Sequence, residues 1–166
     1  MARLVLVGLP GVGKSALALA LASTLDCGSL DTDDQLASDV GMAAGEYLRI
    51  AGVEKFRDRE LDALRRALRA DAVVATGAGV IENGAARDLL REQVTVWLDC
   101  DDEILVTRVA DGDRPLLGAD PRSALAALRG RRETWYRAVA RVRVDASGTL
   151  DEVVARIKDA VVDVAR

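Results

Sequence analysis

The chain contains no histidine. Histidine-based triads and histidine-ligated metal sites are therefore excluded, and acid–base chemistry must fall to carboxylates or to groups on a substrate. Two cysteines, Cys27 and Cys100, lie far apart and form no C-x-x-C pair, so they read as small hydrophobes rather than a redox or zinc site. Aromatic residues make up only 3% of the chain, and the formal net charge is −4. A nucleic-acid surface usually carries a basic balance, and one for single strands also carries stacking aromatics. Neither is evident, and no nucleic-acid partner is expected. No apolar run is as long as a membrane span, and the N-terminus lacks the basic start, long apolar stretch and small-residue cleavage site of a signal peptide. A cytoplasmic location without a membrane partner is the expectation.

What is present is ordinary in bulk and specific in detail. Half of the 166 residues are apolar and 30% are charged, enough for one domain with a full core. One of the few lysines falls in Gly8-Leu9-Pro10-Gly11-Val12-Gly13-Lys14-Ser15, a complete G-x-x-x-x-G-K-[ST] phosphate loop. It follows the apolar run Leu4-Val5-Leu6-Val7 and precedes a helix-like run to Leu25. Glycines let successive N–H groups point inward at phosphate oxygens, and the helix that follows aims its positive end at the anion. The expected nucleotide site is thus Gly11, Val12, Gly13, Lys14, Ser15 and Ala16. Lys14 supplies a cation for the β- and γ-phosphates, and Ser15 offers a hydroxyl to Mg²⁺.

The rest of the chain alternates strand and helix. Strands are predicted over Arg3–Val7, Ser29–Asp31, Ala72–Thr76, Val94–Leu98 and Arg141–Val144. Helices are predicted over Ser15–Leu25, in pieces over Asp33–Leu48 with breaks near Gly41 and Gly45, and over Val53–Ala70, Asn83–Arg91, Asp102–Ala110 and Pro121–Val139. The first helix is apolar on nearly every side, as if buried against a sheet. Thr149-x-x-Glu152 is a capping box that opens the last helix. Such alternation gives an α/β fold with a parallel sheet, whose ligands bind beyond the carboxyl ends of the strands.

Several polar residues fall just there. Asp31 follows the second strand and suits a water on Mg²⁺, which keeps several waters when held between phosphates. Asp33 is placed to face an incoming hydroxyl and accept its proton. Capping of the next helix is the plainer use of the same residues. Asp99 ends the fourth strand and reads as a strand terminus more readily than as a metal ligand. Arg114 lies in the longest loop, where an arginine can close over transferring phosphates. Arg57 and Arg132 sit in helical patterns, and Arg57 has a pairing candidate in Glu60 one turn away. Arg129, Arg131 and Arg132 form a local cluster that a small anion would explain as well as a polyanion.

Together these pieces resemble the shikimate kinase family, small members of the nucleoside-monophosphate-kinase-like P-loop group. The resemblance runs through Gly8–Ser15, Leu30-Asp31-Thr32-Asp33, Phe56-Arg57-x-x-Glu60, the turn Gly77-Ala78-Gly79, Arg114-Pro115-Leu116-Leu117, Arg132-x-x-x-Tyr136 and Arg141–Asp145. It implies a single three-layer α/β/α kinase domain over 1–166, with a five-stranded parallel sheet ordered 2-3-1-4-5. A helical substrate-binding segment is implied at about 32–60 and a lid at about 111–121. The implied activity is ATP- and Mg²⁺-dependent transfer of a phosphoryl group to the 3-hydroxyl of shikimate, by a monomer. In that reading Asp33 orients the hydroxyl, Arg57 and Arg132 grip the carboxylate, and Gly77, Ala78 and Gly79 offer N–H groups to the acceptor. Arg108 lies against adenine and Arg114 covers the phosphates. A kinase for another hydroxy acid such as gluconate, or a nucleotide-binding regulatory protein with little turnover, is the alternative. The chain departs from the family pattern at Ala37, Ala43, Ala44, Leu48, Val53 and Ala78. If position 78 needs a positive φ, alanine strains it by about 1–2 kcal/mol; otherwise its methyl group narrows the pocket.

Overall fold

The computed structural model describes residues 1–110, 118 and 120–164. Arg114 and most of the expected lid at 111–121 lie outside the described residues. Unbroken apolar runs mark the inner strands, because a central parallel strand is covered on both faces. Strands β1 (Leu4–Val7), β3 (Ala72–Ala75) and β4 (Thr95–Asp99) are buried at every residue. The more exposed β2 (Gly28–Asp31) and β5 (Val142–Asp145) form the edges of a five-stranded sheet ordered β2-β3-β1-β4-β5. All pairings are parallel, with Val5 opposite Val74 and Thr95, Leu30 opposite Val74, and Leu98 opposite Val144. The strand order matches the sequence-based expectation.

Helices complete the three layers. Helix α1 (Lys14–Leu25) packs on β2 and β3 and against α8 (Leu150–Val164), which also covers β5. Helix α7 (Pro121–Val139) lies on β4, with α5 (Gly84–Arg91) and α6 (Asp102–Ala110) beside it. Between β2 and β3 the chain makes α2 (Thr32–Val40), α3 (Ala44–Ala51) and α4 (Val53–Ala67), which pack on one another. The capping box forms as expected: Thr149 N donates to Glu152 Oε2 at 2.8 Å, and Glu152 N donates to Thr149 Oγ1 at 3.3 Å. No helix among the described residues is long and apolar enough to cross a membrane.

Two expectations are corrected, and one element was not foreseen. Helix α1 is not buried all round: Leu17, Ala18, Leu21 and Ala22 meet the core, while Leu19 is 67% exposed. Gly41 ends α2 in a left-handed conformation, but Gly45 lies within α3 and breaks nothing. A single 3₁₀ turn, Val80–Glu82, was not legible in the periodicity and directly follows the glycine turn. Three residues are too few to show a repeat.

The sheet carries the carboxyl ends of β1, β2 and β3 to one edge, bringing the phosphate loop, Asp31–Asp33 and Thr76–Gly79 together. Asp99, at the end of β4, serves the fold instead. Its buried carboxylate accepts from Arg129 Nη1 at 2.7 Å and from Arg143 Nη2 at 2.6 Å. Arg129 also binds Asp102 and the Cys100 carbonyl, so the 129–132 arginine cluster does not act as one anion site. Asp99→Ala is expected to cost about 2 kcal/mol of unfolding free energy, since it removes the buried carboxylate that ties Arg129 and Arg143 to the end of β4. Urea denaturation measures this, and the Mg²⁺ dependence of turnover in the folded variant should not change.

Candidate active site

The phosphate loop is shaped by its glycines. Gly13, the residue before α1, has φ 98°, a conformation strained for any residue with a Cβ. Lys14 Nζ donates to the carbonyls of Gly8 at 2.9 Å and Leu9 at 3.1 Å, which lays the ammonium along the loop. Ser15 Oγ donates to Asp31 Oδ2 at 2.5 Å. The other Asp31 oxygen accepts from Asp33 N at 2.9 Å and caps α2. The capping foreseen for these residues is therefore realised on one Asp31 oxygen, while the other is engaged by Ser15.

A second tie joins the ends of β2 and β3. Gly77 N donates to the buried Thr32 Oγ1 at 2.9 Å, so this N–H is committed within the fold rather than offered to an acceptor. Gly77 and Gly79 are glycines because of close approach. A Cβ on Gly77 would run into the Asp33 and Glu60 carboxylates, and one on Gly79 into the Arg57 guanidinium. Ala78 between them is free of backbone strain, since Asp26 is the one non-glycine residue with positive φ among those described. Its carbonyl accepts from Arg132 Nη1 at 3.1 Å and from Tyr136 Oη at 3.0 Å, which fixes the turn against α7.

Arg57 and Arg132, on helices that are distant in sequence, converge on one carboxylate. Glu82 Oε2 accepts from Arg57 Nη2 at 2.8 Å, and Glu82 Oε1 accepts from Arg132 Nε at 2.9 Å. Arg57 Nη1 donates to Glu60 Oε2 at 2.7 Å, the helical pairing expected from sequence. Burial pushes Glu60 up to about 7 against the pull of Arg57. Burial would also raise Glu82, but hydrogen bonds from Arg131 and Arg132 overcome it and hold Glu82 down at about 2. Asp33 is raised by burial and then by the Asp31 charge, with Lys14 pulling the other way. Glu82 was missed by sequence reasoning, and Glu60 was noted only as a partner.

Many of these groups line one cavity of about 790 Å³, with Glu82 set behind the arginines that do so. Gly11, Gly13, Lys14, Ser15 and Ala16 line one end, and Arg57, Glu60, Ala78, Gly79 and Arg132 line the other, with Asp31 and Asp33 also on its wall. Of the departures from the family pattern, only Leu48 and Ala78 line it. Arg108 borders a smaller cavity of about 180 Å³ on the outer side of the loop, with Val12, Gly13 and Ala16. Its guanidinium bridges the Val12 and Ala146 carbonyls at 3.4 and 3.1 Å. The phosphate loop thus joins two cavities, one beside each face of its backbone.

The family model for shikimate kinase matches residues 10–162. The chain belongs to the shikimate kinase family. It is 39% identical to shikimate kinase from Moorella thermoacetica over 163 residues, covering 95% of this chain and 93% of that one. It is 37% identical to the Symbiobacterium thermophilum shikimate kinase over 164 residues, covering 95% and 94%. Its fold is similar to that of shikimate kinase from Acinetobacter baumannii in complex with shikimate, with a TM-score of 0.91 and 28% identity over 96% of this chain and 92% of the other.

In this family member the raised Glu60 has a consequence for stability. The folded state holds the Glu60 proton more tightly than the unfolded chain, so stability falls as pH rises from about 4.5 to about 7. Glu60→Gln removes that slope. Its stability relative to the parent chain should therefore climb across this window and level off above it, as read from urea midpoints at a series of pH values.

Proposed function

We infer that the chain is an ATP-dependent kinase that phosphorylates the 3-hydroxyl of shikimate to give shikimate 3-phosphate. The observation that carries this reading is the single cavity with a phosphate loop at one end and a paired-guanidinium site at the other. Membership of the shikimate kinase family supports it. A planar carboxylate accepts paired N–H bonds from two arginines, and an acid anchored there would present its hydroxyls toward Asp33 and Lys14.

The roles follow from position. Loop N–H groups and the start of α1 receive the phosphates, and Lys14 neutralises charge on the group in flight. Asp33 orients the acceptor hydroxyl and takes its proton as the oxygen attacks the γ-phosphorus, while the bond from that phosphorus to the bridging oxygen breaks and ADP leaves. Ala78 and Gly79 bring backbone to the acceptor, while Arg57 and Arg132 hold its carboxylate. Arg108 borders the adenine site. Arg114 retains the role its loop implies, a cation over the phosphates. Ser15 and Asp31 fit a magnesium ion, because their oxygens touch beside the phosphate loop and a cation held between phosphates needs few protein ligands. When bound, that ion would offset phosphate charge.

Coupled assays on a panel of hydroxy acids test the acceptor, and turnover of gluconate as fast as shikimate would overturn it. Lys14→Met is expected to lower kcat by about 10²–10³-fold or more, because it removes charge from the transferring group. Arg132→Ala is expected to raise the shikimate KM roughly tenfold or more with a smaller change in kcat. An unchanged KM would remove Arg132 from the carboxylate site.

A further inference from the structure

Glu82 holds a place that phosphoryl transfer does not explain. Its carboxylate already receives the two-guanidinium grip assigned to the acceptor: Arg57 Nη2 at 2.8 Å on one oxygen, and Arg132 Nε and Nη2 at 2.9 and 2.8 Å on the other. The clamp is thus filled by a carboxylate of the chain itself. Held down at about 2, Glu82 is ionised at any working pH.

Three observations make this occupant exchangeable. The main chain at Glu82 is pinned without the side chain, by Glu82 N donating to Gly79 O at 3.0 Å and Arg87 Nη1 donating to Glu82 O at 3.1 Å. Glu82 also has a third partner outside the clamp, Arg131 Nη2 at 2.7 Å, whose side chain is 56% exposed on the cavity rim. Finally, three guanidinium groups are ion-paired to just two carboxylates, Glu82 and the raised Glu60, with the raised Asp33 nearby, so the cluster keeps positive charge for a further carboxylate.

We propose that Glu82 is a resident carboxylate that fills the Arg57–Arg132 clamp in the empty enzyme and moves onto Arg131 alone when the acceptor's carboxylate enters. Acceptor binding is then an exchange of one carboxylate for another, and Glu82 sets acceptor affinity and selects for ionised acids able to displace it. This rests on the reading of Arg57 and Arg132 as the acceptor's carboxylate clamp.

Steady-state kinetics of Glu82→Gln test the exchange, with shikimate as substrate and its neutral carboxamide as a competing ligand. Loss of the resident charge is expected to lower the shikimate KM by about three- to tenfold, the scale of one partly exposed ion pair. The ATP KM, kcat and the inhibition constant of the carboxamide should stay within about twofold. A merely structural role would raise KM or lower kcat, and a folded variant with an unchanged or raised shikimate KM overturns the proposal. If Glu82→Gln does not fold, Arg131→Ala decides. That exposed substitution removes the partner that receives Glu82, so the shikimate KM rises at constant ATP KM, and no change overturns the proposal. Arg132→Ala run in parallel separates the two levels. An unchanged KM there defeats the clamp and the exchange together, whereas a raised KM without a gain from Glu82→Gln defeats the exchange alone.

Discussion

A guanidinium group cannot shed its charge inside a protein, and the acceptor end of this cavity is built around that constraint. Arg132 is only 6% exposed, and Arg57 is half-buried across the cavity from it. Without an acceptor, each must be neutralised by the fold itself, because a buried unpaired charge costs several kcal/mol. Glu60 and Glu82 meet that need. Their placement in turn dictates glycine at 77 and 79, since the Glu60 and Asp33 carboxylates and the Arg57 guanidinium occupy the space a Cβ would take. The turn's sequence is therefore a consequence of the charges packed against it rather than of unusual backbone torsions, and Ala78 is tolerated because its backbone has no positive φ.

The two ends of the cavity are also coupled through the backbone. Asp31 uses one oxygen on Ser15 beside the phosphates and the other on the N–H of Asp33. The adjacent Thr32 reaches across to Gly77 N, and the Ala78 carbonyl is held by Arg132 and Tyr136. A continuous chain of hydrogen bonds runs from the phosphate loop through the β2 and β3 termini to α7. Such a chain keeps the hydroxyl-facing carboxylate and the phosphate site in fixed register, which in-line transfer demands.

Legibility in the sequence followed the range of the interactions. The phosphate loop, the strand order implied by family resemblance, the Pro121–Val139 helix and the capping box depend on neighbours within a few residues or on a shared pattern, and each is realised. Glu82 was invisible because its partners lie 25 and 50 residues away, on helices whose facing could not be read without the tertiary fold. Gly77 was assigned an outward N–H because the family resemblance implies one; the competing acceptor, Thr32, sits 45 residues earlier. The exposed face of α1 escaped notice for another reason. Alanine and leucine favour helices whether or not they are buried, so an apolar helix does not by itself reveal how many of its sides are covered.

The charge balance of the acceptor end sets opposing demands on folding and binding. A fold with no internal carboxylate at the clamp would leave Arg132 buried and unpaired, weakening the empty state while strengthening its pull on an acid. A fold with a fully buried internal partner would be stable but closed to substrate. Glu82, half-buried and shared with the exposed Arg131, lies between these extremes. It satisfies the clamp when the site is empty, yet one of its three arginine partners faces solvent, where an ion pair is worth little and exchanges readily. Glu60, by contrast, is sealed in at 2% exposure and holds Arg57 from the opposite side. One carboxylate thus keeps Arg57 in place permanently, while the other is held where a rival carboxylate can reach its partners. This division explains why the site needs two glutamates of such different burial to serve two arginines.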